Sequence, residues 1–72
     1  MNLSNRLREI RLHKELTQES LAEVIGVTRQ TIIAVEKGKF VPSVKLALEL
    51  ALALDVSLAD LFWLEGNRGG KP

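Results

Sequence analysis

Residues 18–37 read QESLAEVIGVTRQTIIAVEK, and this stretch decides the fold. Its apolar positions are Leu21, Ala22, Ile25, Val27, Ile32 and Val35. The first three lie at helical spacing, and so do the last two. Gly26 interrupts the run where the first helix should stop, because a glycine there turns left-handed without a Cβ clash. The small side chain of Ala22 permits two helices to cross closely over a short turn. The result is a pair of short helices hinged on a glycine, a frame that would serve any helical bundle.

Outward from this pair, the coarse pattern predicts five helices. The first runs from Ser4 or Asn5 to Lys14, with Leu3, Leu7 and Ile10 on one stripe. The second follows Thr17 as N-cap and ends before Gly26; the third follows Thr28 and ends at Gly38. Pro42 and Ser43 open a fourth through Leu54, and Ser57 caps a short fifth from Leu58 to about Phe62. The chain ends read as brief extended segments, residues 1–3 and 62–64, able to pair. Residues 67–72 are Gly-rich with nothing to bury and are expected to be a disordered tail, leaving residues 1–66 as one domain.

Seventy-two residues allow a single small core, and the balance of apolar to charged residues is that of a folded globule. The absence of cysteine excludes disulfides, thiolate metal sites and thiol nucleophiles, and fits a reducing compartment. MNLSNRLRE carries no apolar core of signal-peptide length, and the apolar run 46–54 is too short for a bilayer. A cytoplasmic protein without membrane association is expected. His13, the sole histidine, has no catalytic or metal-ligating company, and no carboxylate arrangement resembles a site. No enzyme, metal or cofactor is expected.

The net charge of +1 does not announce a nucleic-acid partner, but its distribution is uneven. Arg29, Lys37, Lys39 and Lys45 stand against Glu36 alone, whereas residues 46–67 carry Glu49, Asp55, Asp60 and Glu65 and no cation. On a 100° wheel, Thr28, Ile32 and Val35 fall on a core-facing arc of the third helix. Gln30, Ile33, Ala34 and Lys37 point the opposite way, with Arg29 and Glu36 on the border. Such an outward face suits base-pair edges: Arg bonds guanine, Gln bonds adenine, and an exposed Ile touches a thymine methyl. Each residue alone would pass for an ordinary helix former; the combination on a two-helix frame points to double-stranded DNA.

The string LTQESLAEVIGVTRQTIIAVEKGKFVPS, followed by LALELALALDVSLADLF, resembles the helix-turn-helix family of phage Cro and cI repressors, the Xre family. The motifs TQ-x-x-LA, G-V-T-R-Q-T-I, I-x-x-x-E-K-G-K and P-S occur in order, and the resemblance spans residues 3–64. The short length and the final LFWLE are most similar to compact one-domain members related to the cytolysin repressor. The resemblance implies an all-α, five-helix lambda-repressor-like DNA-binding domain with a short terminal β-ribbon, acting as a homodimer. It places the helix-turn-helix at residues 18–37, with the helix 28–37 in the major groove. It assigns base reading to Arg29 and Gln30, and secondarily to Ile33 and Ala34. Backbone contacts go to Gln18, Thr28, Lys37, Lys39 and Ser43, and a buried structural ion pair to Arg11 and Glu36. Ile33 and Val41 depart from the polar residues common at those positions.

Helix four is apolar on nearly all sides between Val44 and Leu54, broken only by Lys45 and Glu49. Leu54, Phe62, Trp63 and Leu64 are therefore expected at a dimer interface. The leading expectation is a dimeric, sequence-specific transcriptional regulator, a repressor on a near-palindromic operator. The alternative is a protein-interaction module or antitoxin-like adaptor that uses the helix-four and C-terminal apolar surface.

Overall fold

Four side-chain hydroxyls mark where helices start: Thr17, Thr28, Ser43 and Ser57 each accept a hydrogen bond from the backbone N–H three residues on. Each closes one of the N–H groups that a first helical turn leaves unpaired. The computed structural model describes residues 1–65. Along them run β1 (Asn2–Asn5), α1 (Leu7–His13), α2 (Gln18–Ile25), α3 (Arg29–Glu36), α4 (Val44–Leu54), α5 (Leu58–Leu61) and β2 (Phe62–Glu65). The expected five helices and terminal ribbon are all present. The tail expected over residues 67–72 lies outside the described residues.

The ends of the helices follow from backbone chemistry. Gly26 takes φ +87° and its N–H, like that of Val27, reaches back to the Ala22 carbonyl. The two bonds satisfy an orphan carbonyl and turn the chain into α3. Gly38 takes φ +73° just beyond α3, and Asp55 takes φ +57° just beyond α4. α1 starts at Leu7 rather than at Ser4 or Asn5, and the reason is tertiary. Residues 2–5 are held in an antiparallel ladder with 62–65, in the register Leu3↔Leu64 and Ser4↔Trp63. The Asn5 side chain then accepts from the Leu7 N–H, the first of α1, at 3.0 Å, while Arg6 takes the cap position without a side-chain cap bond. For the same reason α5 stops at Leu61, since Phe62 is extended and enters β2.

One core forms where the helices converge. Leu7, Leu21, Ile32, Val35, Leu50, Leu54 and Leu61 are its fully buried side chains, with Ala22 and Ala51 beside them. Thr28, placed on the core arc by the wheel, is instead exposed, because its hydroxyl caps α3. α4 gives the core Leu46, Leu50 and Leu54, spaced four apart. Leu54 is only 1% exposed, so the expectation that it lines a dimer interface is corrected: it is already fully covered within one chain. Phe62 is also largely buried, whereas Trp63 is half-buried and Leu64 exposed.

The outer side of the ribbon is tied together by polar contacts. The Arg6 guanidinium lies over the Trp63 ring at 4.8 Å, and the indole N–H donates to Glu65 at 2.9 Å. Hydrogen bonds from Trp63 and then Ser4 hold the Glu65 carboxyl below the usual carboxylate range.

Nothing lies within 4 Å of where a Cβ on Gly26 would stand, so a side chain there meets no obstacle but the backbone itself. Gly26→Ala should therefore cost about 1–2 kcal/mol of stability from the left-handed conformation alone. Urea titration followed by circular dichroism should show a lower midpoint at an unchanged slope.

Candidate nucleic-acid interface

α3 is held to the body on one side and free on the other. Ile32 and Val35 anchor its inner side in the core, and Asn5 Nδ2 donates to the Val35 carbonyl at 3.0 Å. Near its C-terminal end, Glu36 meets Arg11 of α1. Arg11 Nε donates to Glu36 Oε2 at 2.6 Å, with the two side chains 7% and 4% exposed. Arg11 Nη2 lies 3.4 Å from Glu36 Oε1, and Nη1 donates to the Leu16 carbonyl at 2.8 Å. The guanidinium is thus spent on a carboxylate and on the loop that leads into α2. A buried charge that is paired and hydrogen-bonded on several sides avoids the penalty of an isolated one.

Gln18, at the first position of α2, joins this network. Its Nε2 donates to Glu36 Oε1 at 3.1 Å, and its Oε1 lies 3.4 Å from Arg29 Nε. The family resemblance assigns Gln18 to a phosphate; in the folded chain both polar ends of its amide face protein partners. The residue is a link between the buried ion pair and the first residue of α3. Nothing in the local sequence signals this, because Gln18 and Glu36 are eighteen positions apart. The sequence reading offers Asn5 only as a possible start of the first helix; its side chain instead accepts from the Leu7 N–H and ties β1 to α3 through the Val35 carbonyl.

The outward side of α3 carries the remaining expected residues. Arg29 and Gln30 are exposed in its first turn, while Ile33 and Ala34 are half-buried behind them. Lys37 and Lys39 are exposed in the segment that follows, as are Thr28 before α3 and Ser43 before α4. Of these groups Arg29, Lys37 and Lys39 are cations, Gln30, Thr28 and Ser43 can donate hydrogen bonds, and Ile33 and Ala34 are apolar. Among the described residues no cluster of His, Cys, Asp or Glu is arranged to hold a metal ion. None of the described helices is long and apolar enough to cross a membrane.

The chain has known relatives. Residues 7–61 match the family HTH_3, described as helix-turn-helix. The HTH-type transcriptional regulator YgzD of Bacillus subtilis is 46% identical over 63 residues, covering 88% of this chain and 96% of that protein. The cryptic phage CTXphi transcriptional repressor RstR of Vibrio cholerae is 36% identical over 58 residues, covering 81% of this chain and 52% of that protein. Among solved structures, the restriction-modification controller protein C.AhdI from Aeromonas hydrophila superposes with a TM-score of 0.71 at 41% identity. That match covers 75% of this chain and 78% of C.AhdI.

The ion pair makes a direct prediction. Glu36→Gln leaves the Arg11 charge buried with a neutral partner and should cost about 3–5 kcal/mol. Replacing both residues together by apolar ones, Arg11→Met with Glu36→Leu, should recover much of that loss, read as the denaturation midpoint of each variant.

Proposed function

The chain belongs to the HTH_3 family of helix-turn-helix transcriptional regulators, DNA-binding proteins rather than enzymes, and from that membership we propose that it is a repressor that binds a near-palindromic operator as a homodimer. The observation that carries the reading is the outward side of α3: Arg29 and Gln30 exposed, Ile33 behind them, on a helix whose other side is fixed in the core. A helix held so rigidly presents its polar groups at set positions, which base recognition requires. In this reading α3 enters the major groove, Arg29 and Gln30 bond base edges, and Ile33 and Ala34 make close apolar contact with them. Thr28, Lys37, Lys39 and Ser43 meet the phosphates on either side. Gln18 contributes the N-terminus of α2, while its side chain steadies Arg29.

One copy of α3 reads only half a site, so a twofold pair is needed to span successive major grooves about 34 Å apart. Repression is the direction suggested by RstR, which is named a transcriptional repressor. The protein acts in the cytoplasm, where its DNA lies. The competing reading, an adaptor for another protein, draws on the exposed apolar residues of α4, and DNA binding separates the two.

Selection of bound sites from a random DNA pool should return a half-site repeated about its centre at a fixed spacing; failure to enrich any sequence at low salt defeats the DNA reading. Against the selected site, Arg29→Ala should cost about 1–3 kcal/mol and relax preference at one base position. An unchanged ratio of specific to random binding in that variant shows that another residue reads the base. Lys39→Ala should weaken all sequences alike and lower the slope of log affinity against log salt by about 1.

A further inference from the structure

The Asn5 amide joins two helices from a strand. Its Nδ2 donates to the Val35 carbonyl in the last turn of α3, and its Oδ1 accepts from the Leu7 N–H at the start of α1, each at 3.0 Å. The strand that carries Asn5 is itself anchored. Asn5 pairs with Phe62, which is buried, and the next residue, Arg6, donates its N–H to the Leu61 carbonyl at 3.1 Å. The amide is therefore offered to α3 from a fixed backbone. Val35 stands where α3 gives way to its lysine-bearing turn, and a helix end leaves its last carbonyls without helical partners. Here the Val35 carbonyl takes two donors, the Asn5 amide and the Gly38 N–H at 3.0 Å, which uses both its lone pairs. On either side, the Ile33 carbonyl accepts the Lys37 N–H at 3.1 Å and the Ala34 carbonyl accepts the Lys39 N–H at 2.9 Å. Asn5 holds this turn from outside.

We infer that Asn5 is a positioning residue for DNA recognition: it locks the C-terminal end of α3 to the ribbon, so that Lys37 and Lys39 meet phosphates in the register that brings Arg29 and Gln30 onto their bases. The inference rests on the DNA reading above and adds the group that fixes the reading helix from its far side. Phosphate contacts set register and orientation, and base contacts depend on both. Glu36, next in the chain, is gripped from α1 and α2 by Arg11 and Gln18. Those bonds converge on one carboxylate and leave α3 a pivot there; a hold one residue earlier, from the ribbon, removes it. Arg29 lies seven residues from Glu36. At about 10 Å along the axis, a tilt of about 10° at that end carries Arg29 about 2 Å, more than a well-aligned hydrogen bond tolerates.

Side-chain chemistry singles out asparagine at this place. The amide donates and accepts at once, whereas an ionised carboxylate of the same length only accepts. Aspartate would keep the bond from the Leu7 N–H but cannot donate to Val35, and its charge would face the negative end of α3. Asn5→Asp therefore separates a structural role at α1 from a positioning role at α3.

The test compares wild type, Asn5→Asp and Asn5→Ala on two duplexes of equal length, the site that random-pool selection returns for the wild type and a random sequence. Asn5→Asp should keep the circular dichroism spectrum while its ratio of selected-site to random affinity falls about tenfold. Asn5→Ala loses both bonds and should melt at a lower temperature with a similar fall in that ratio. The added negative charge of the aspartate weakens both duplexes alike, so the ratio separates geometry from charge. An Asn5→Asp chain whose ratio matches the wild type overturns the inference and leaves the DNA reading standing. A wild type for which no site can be selected overturns both. Should the variants not fold, the wild type gives its own reading by NMR. Its Asn5 side-chain amide protons should exchange with water more slowly once the selected site binds, against those of the exposed Asn2 as reference. Exchange at Asn5 that binding leaves unchanged overturns the positioning role.

Discussion

The carboxylate of Glu36 is where this small protein is joined. It closes a 2.6 Å ion pair with Arg11 of α1 and accepts from Gln18 of α2, while being itself the last residue of α3. Three helices therefore meet on one buried group. Because both charges are almost wholly removed from water, the arrangement tolerates no loose version of itself: either the geometry is satisfied or two desolvated ions are stranded. Fixing the end of α3 in this way also fixes its inclination to the body, and its exposed residues inherit that orientation. The contact from Gln18 to Arg29 carries the constraint to the start of the helix.

Around that junction the packing is economical. A core of six leucines, one isoleucine, one valine, two alanines and Phe62 leaves little redundancy: α4 gives it four side chains and every other described element two or fewer. The ribbon of β1 and β2 compensates by joining the two ends of the described chain. It holds Asn5 where the amide can serve α1 with one atom and α3 with the other. A two-stranded ribbon has marginal stability alone, and here it is backed by Phe62 in the core and by Arg6 over Trp63.

The sequence was most legible where structure is decided locally. Thr17, Thr28, Ser43 and Ser57 cap the helices they precede, and Gly26 ends the helix it follows, because each interaction spans only a few residues. The outward chemistry of Arg29 and Gln30 was readable for a similar reason, since Ile32 and Val35 identify the inner side of a short helix. Legibility failed at α4. With leucine, alanine or valine at nearly every position, the helix has no contrast between its sides, so Leu54 was as plausible an interface residue as Leu52.

What the amino-acid order determined by itself was the set of helices, the capping residues that start α2, α3, α4 and α5, and the groups that the second helix of the pair turns outward. Only the tertiary structure decided which leucines of α4 are covered, where α1 begins, and that the Gln18 amide faces Glu36 and Arg29. The physical reason is distance along the chain. Caps and turns close over three to five residues and leave their mark in local composition. The bonds from Arg11 to Glu36, Gln18 to Glu36 and Asn5 to Val35 span 25, 18 and 30 positions. Such partners are chosen by the packing of whole helices, which no short window of sequence contains.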